Sequence, residues 1–205
     1  MPPLQMPELV TALLSSGLFG IGAIAFVEKL VPAVPSYVLY VFFGMTIVSD
    51  DTTLALVILA TSIGSTFGAL CWYAVGRALG PRRTEALVTR FGHYVRLDIG
   101  RYRRLAAAYR LHPFRVSLIG QITPVVRLYA PLPAGMLGLR SSTFLAATAL
   151  GGVIWNGLLL GFGYALRHRA YDPVHVGVAV IAGLIVLELG ALLALRIRWG
   201  LTPTR

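Results

Sequence analysis

Two ionisable side chains lie inside stretches that are otherwise apolar. Glu28 ends the run GLFGIGAIAFVE, and Arg127 stands in the middle of PVVRLYAPLP. Both sit beside prolines: Glu28 is followed by Pro32 and Pro35, while Pro124 precedes Arg127 and Pro131 and Pro133 follow it. A planar guanidinium donates two parallel hydrogen bonds, which suits a phosphate or another oxyanion. A carboxyl that burial and a neighbouring guanidinium pull in opposite directions can carry a proton. The pair therefore reads as an anion site with a coupling or gating acid, or as a static ion pair that fixes two segments. Lys29, next to the acid, reads as a snorkelling side chain whose long stem takes its ammonium to an interface.

Other chemistry has no foothold. HExxH, GxSxG, P-loop and CxxC motifs are absent from the chain. The single cysteine, Cys71, can form neither an internal disulfide nor a metal site by itself. Ser36, Ser62 and Ser65 read as helix-packing hydroxyls, because no base accompanies them. The expectation is a protein that is not an enzyme and needs no cofactor or metal.

The surroundings of these residues follow from composition. Of 205 residues, 57% are hydrophobic and 13% charged, about half the charge of an average soluble domain, and the mean hydropathy is +0.76. So few charges cannot cover a soluble surface, and the chain reads as one integral membrane domain over 1–205. Its N-terminus, MPPLQMPELV, lacks a basic region and holds Glu8, so a cleaved signal is not expected. The net charge of +10 is lopsided: ten of the 18 basic residues fall between Arg77 and Arg115. By the positive-inside rule that segment is cytoplasmic, and the charge reports orientation, not nucleic-acid binding. His93, His112, His168 and His175 fall at or beyond the predicted membrane edges.

Along the chain, 9–27 predicts a first span. Residues 28–47 are broken by Pro32 and Pro35 and read as a re-entrant helical hairpin, since proline removes a donor and disfavours helix in the residue before it. Residues 53–79 predict a long span stopped by Gly80 and Pro81. The Arg-rich stretch 82–110 predicts amphipathic helix on an anionic leaflet. Residues 113–139 repeat the broken pattern, and 141–165 and 173–195 predict two more spans. The long spans resemble each other: Gly64, Gly68, Trp72, Gly76 and Gly80 recur every four residues, and Gly151, Trp155, Gly161 and Gly163 echo them. Glycines on one face let backbones approach closely. A broken hairpin before each span, with the spans running in opposite directions, is the pattern of an inverted repeat.

These residues resemble the DedA family, the bacterial branch of the superfamily that carries the SNARE-associated or VTT domain. The matching positions are Glu28-x3-Pro32-x2-Pro35-Ser36, Gly44, Gly64-x3-Gly68-x4-Tyr73-x2-Gly76-Arg77-x2-Gly80, Pro124-x2-Arg127, Ala134-Gly135-Met136, Phe144, Gly151-x3-Trp155 and Gly163-Tyr164, covering roughly 20–166. The resemblance implies an all-α inner-membrane protein with two opposed re-entrant hairpins. It also implies a flippase or translocase for an anionic lipid phosphate, such as undecaprenyl phosphate or a phospholipid, linked to protons and able to form homo-oligomers. The family's essential acid falls on Glu28 and an essential arginine on Arg127. Two positions depart from its pattern, Tyr37 where an acid is usual and Gln121 where an arginine is usual. Their joint change implies a neutral Tyr37–Gln121 hydrogen bond in place of an ion pair, and a single arginine that suits a monoanionic phosphodiester. A small-ion exchanger and a non-transport membrane homeostasis or assembly factor are the alternatives.

Overall fold

The computed structural model describes residues 16–31, 36–91, 99–123 and 126–167, together with 182, 183, 186 and 190. Pro32, Pro35, Pro124, His93, His168, His175 and most of the predicted span 173–195 lie outside the described residues. Those described form helices: α1 (Gly17–Leu30), α2 (Ser36–Thr46), α3 (Asp51–Phe91), α4 (Ile99–Leu111), α5 (Pro113–Ile122), α6 (Val126–Tyr129), α7 (Pro131–Met136) and α8 (Ser141–Leu166).

Each helix ends where local chemistry ends it. Val31 precedes Pro32 and is extended, at φ −130° and ψ 94°. Thr123 precedes Pro124 and is also extended, at φ −92° and ψ 120°. Proline's Cδ clashes with a helical residue before it, so both breaks have one cause. In α3 the helical path fails at Gly80, whose φ of 71° and ψ of 165° belong to glycine alone. Asp50 starts α3: its Oδ1 accepts from the Thr53 N–H at 2.9 Å and its Oδ2 from the Ser49 and Thr53 hydroxyls at 2.7 and 2.9 Å. These bonds hold the exposed Asp50 carboxyl down at about 2.

The first break differs from expectation. A span over 9–27 followed by a hairpin over 28–47 would put Glu28 after the first helix. Instead α1 carries Glu28 and Lys29 in its last turn and ends at Leu30. Glutamate and lysine are good helix formers, and the prolines set the stop.

Among the described residues two helices are long and apolar enough to cross a membrane, Asp51–Pro81 with 31 residues and Ser141–Leu166 with 26. Only 39% and 50% of their most apolar stretches are covered by protein, unlike the core helices of soluble proteins. On α3 the open face carries Leu56, Leu59, Ile63 and Phe67, while Thr61, Ser62 and Ser65 point inward and are buried. Apolar outside and polar inside is the arrangement that lipid selects. By contrast, α1 and α2, with 14 and 11 residues, reach about 21 and 16 Å at 1.5 Å per residue, short of a hydrocarbon core of about 30 Å.

The packing crosses between halves. Helix α1 lies on α3 and α5 on α8, whereas α2 lies on α8 and α7 on α3; α3 and α8 also touch each other. Glycines set each crossing. A Cβ on Gly44 would strike Leu160 O, Gly163 Cα and Tyr164 N of α8, and one on Gly135 would strike Tyr73 O and Arg77 N of α3. In return, a Cβ on Gly163 would strike Val41 O, and one on Gly76 would strike Leu132 O and Met136 N. The partners 160, 163 and 164 in one crossing and 73, 76 and 77 in the other share one spacing. Likewise a Cβ on Gly64 would strike Gly22 O. Of the glycines that the sequence period marks, Gly64, Gly68, Gly76, Gly151 and Gly163 meet a neighbouring helix, whereas Gly161 and Gly80 face open space and Gly80 instead breaks α3.

Gly135→Leu forces the α3–α7 backbones apart, and overpacking of this kind typically costs about 1–3 kcal/mol or more. Gly161, whose Cβ position is open, tolerates alanine. We expect a lower melting temperature in detergent for Gly135→Leu and an unchanged or higher one for Gly161→Ala. Because the Asp50 carboxyl titrates below its unfolded value, its contribution is present above about pH 4 and fades towards about pH 2. An acid melting series should show that loss in wild type and less of it in Asp50→Ala.

Candidate functional site

The inner face of α1 is the stripe Ile21, Ala25 and Glu28, all buried, at the spacing that aligns side chains on one side of a helix. Lys29 is turned towards α3, where Gly68 leaves room: a Cβ there would lie 2.7 Å from Lys29 Cβ. Opposite, α2 buries Ser36, Tyr40 and Gly44. The second half contributes Gln121 from the last turn of α5 and Arg127 from the short α6. Gly151 makes the matching space, since a Cβ on it would lie 2.6 Å from Gln121 Cβ.

These residues meet in one buried cluster. Glu28 is 6% exposed, and Lys29, Gln121 and Arg127 are each 3% exposed. The Tyr40 hydroxyl donates to Glu28 Oε2 at 3.5 Å and also faces the Arg127 guanidinium. Lys29 Nζ donates to the Arg127 carbonyl oxygen at 2.9 Å and makes a long contact to Gln121 Oε1 at 3.5 Å. Gln121 Nε2 in turn donates to Thr148 Oγ1 at 3.3 Å. The guanidinium carbon of Arg127 lies 5.1 Å from the centre of the Trp155 ring, within cation–π range. Among the described residues, Nε and Nη1 of Arg127 have no hydrogen-bond partner. One residue on from Trp155, Asn156 is fully buried and donates to Thr61 Oγ1 at 3.3 Å and Ser62 Oγ at 3.4 Å.

Glu28 and Arg127 thus share one pocket. Two expectations fail. Lys29 does not snorkel to an interface; it is among the more deeply buried charges. Tyr37 does not bond Gln121 among the described residues; it is partly buried against the apolar core that includes Ile21, Tyr40 and Trp155. Tyr40 is the phenol on the site face, and Gln121 turns to Lys29 and Thr148. The four-residue spacing Ser36, Tyr40, Gly44 was the available signal for Tyr40. For Lys29 it was the empty place left by Gly68. Pro131 is buried at the start of α7. Among the described residues no group of three or more His, Cys, Asp or Glu could hold a metal.

A helical membrane protein whose charged pocket is built by two interrupted helix pairs is the class these observations define. A profile of the VTT domain matches residues 34–165, and the chain belongs to that family, in agreement with its DedA resemblance. It is 30% identical over 195 residues to an alkaline phosphatase-like protein of Lactococcus lactis subsp. cremoris, covering 88% of this chain and 91% of that one. It is 26% identical over 159 residues to undecaprenyl phosphate transporter A of Staphylococcus aureus, covering 76% and 77%. It is 28% identical over 144 residues to inner membrane protein YghB of Escherichia coli, covering 69% and 60%. No solved structure matches the chain.

The geometry separates the two tyrosines experimentally. Tyr40→Phe removes a donor from a buried carboxylate and should cost about 1–3 kcal/mol, read as a lowered melting temperature in detergent. Tyr37→Phe should melt like wild type.

Proposed function

We propose that this protein moves an anionic phosphate lipid across the bacterial cytoplasmic membrane, binding the headgroup at Arg127 and coupling or gating the movement through Glu28. The observation that carries the reading is the Arg127 guanidinium itself. It is buried, backed by Trp155, and has two donor nitrogens without partners among the described residues. An arginine at membrane depth costs at least about 2.5–3.5 kcal/mol, and unspent donors add to that cost until an oxyanion meets them.

The architecture supports the same reading. Helices α1–α2 and α5–α7 are two re-entrant hairpins that enter from opposite leaflets, each preceding a long span, so the chain is an inverted repeat. The Arg-rich stretch 77–115 then lies on the cytoplasmic side. An open apolar groove of about 430 Å³ between α1 and α3, lined by Phe19, Gly22, Phe26, Ile63, Gly64 and Phe67, ends one turn from Lys29 and can hold a hydrocarbon tail. The name of the Staphylococcus aureus relative agrees with a lipid phosphate. The name of the Lactococcus lactis relative suggests phosphate-ester chemistry, and the test includes it.

Purified protein in proteoliposomes should accelerate transbilayer movement of a labelled polyprenyl phosphate, faster with an imposed pH gradient, and return the lipid intact. Glu28→Gln and Arg127→Ala should each lose at least about tenfold in rate, the loss of one charge-assisted contact, while still inserting and accumulating. Equal rates for all three proteins would end the reading, and release of inorganic phosphate would favour hydrolysis. In a Cys71→Ala background, cysteines placed through 36–46 should be labelled from one side only, as a hairpin arm requires.

A further inference from the structure

The buried site holds more positive than negative charge. Lys29 and Arg127 are both 3% exposed against the single acid Glu28 among the described residues of the cluster, and the next described acids, Asp50 and Asp51, are exposed at the start of α3. Among the described residues the groups facing Lys29 from neighbouring helices are neutral or cationic: Gly68 of α3, Gln121 of α5 and Arg127 of α6. Its one acidic neighbour among them is Glu28 on its own helix, to which Tyr40 of α2 donates. An unbalanced buried charge is strongly unfavourable without a counter-ion. The ammonium also has capacity to spare. Of its three donors, one meets the Arg127 carbonyl at 2.9 Å and another makes the long contact to Gln121. It is tied to the main chain of the same residue whose Nε and Nη1 are unpartnered among the described residues.

We propose that Lys29 is the second cation of the anion site, and that Lys29 and Arg127 together select a phosphomonoester dianion over a phosphodiester monoanion. This rests on the reading of the pocket as a phosphate site and names its substrate class. Unspent donors at Nζ, Nε and Nη1 match the three terminal oxygens of a monoester, whereas a diester offers two. With a monoanion bound, the pocket is neutral when Glu28 is ionised. With a dianion bound, it is neutral when Glu28 takes up a proton, so binding the dianion draws a proton to the residue already assigned to coupling. A single-arginine site, as the sequence suggests, would have favoured the diester.

The test is calorimetric titration of the purified full-length protein with citronellyl phosphate, its methyl phosphodiester and inorganic phosphate at pH 7.5. Wild type should bind the monoester roughly ten- to a hundredfold more tightly than the diester, the worth of one charge-assisted contact. Lys29→Met keeps the unbranched stem in the Gly68 cradle and should weaken the monoester roughly tenfold or more beyond any weakening of the diester, erasing the preference; Lys29→Arg should keep the preference. A preference that survives Lys29→Met, or equal weakening of both esters, overturns the assignment. If Arg127→Ala loses both esters in that case, the anion-site reading stands without Lys29. If wild type binds neither ester, that reading falls as well. Inorganic phosphate that binds as tightly as the monoester assigns the site to the free ion, and weaker binding assigns it to a lipid headgroup. Both results keep the two-cation site. Should Lys29→Met fail to fold, wild type alone decides. Its preference for the monoester should grow from pH 5 to 7.5 as the second phosphate proton leaves near about pH 6, and a flat ratio overturns the proposal.

Discussion

The close approach of four glycines across two helix crossings is the constraint on which the rest depends. At Gly44 with Gly163, and at Gly76 with Gly135, any side chain would run into the main chain of the facing helix. Between apolar helices in lipid there is little hydrophobic gain from association, so such close contact supplies much of the attraction. It also fixes rotation. With α2 pinned on α8, Ser36 and Tyr40 can only turn inward, and with α7 pinned on α3, Arg127 is carried to the same point from the other half.

That enforced meeting creates an electrostatic problem, and the pocket shows how it is handled. Three ionisable side chains sit where water is scarce. Each touches dipoles: a phenol on Glu28, a carbonyl and an amide on Lys29, an indole face under Arg127. Neutral partners soften the cost of desolvation without cancelling charge. On the proposed reading, that leaves the cluster able to take up a charged visitor. A fully paired network of the same residues would have been more stable in isolation and less able to bind.

Much of this was legible in the sequence. The prolines after Glu28 and around Arg127 marked the two breaks, because the clash before proline is local and independent of tertiary structure. The four-residue glycine period marked the packing face for the same reason. Legibility stopped where rotation about a helix axis decides the outcome. Lys29 and Tyr37 are each adjacent in sequence to the right residue or the right face, yet one turned in and the other turned aside. Single-residue offsets of about 100° cannot be settled without knowing which neighbour offers space. Gly68 offered that space to Lys29, from a helix forty residues away. The end of the first helix has a related cause: Glu28 and Lys29 read as a boundary by polarity alone, although both are at ease in a helical last turn.

The exchange of arms between halves has a consequence for biogenesis. Helix α2 is complete at Thr46, but the surface it must rest on begins at Ser141. At about 5–20 residues per second, a ribosome needs roughly 5–20 s to deliver that surface. Through this interval an apolar stub too short to cross the bilayer has α1 and the start of α3 beside it but lacks the helix its Gly44 face rests on. That face must stay sheltered until α8 arrives, so the packing of the first half is completed late.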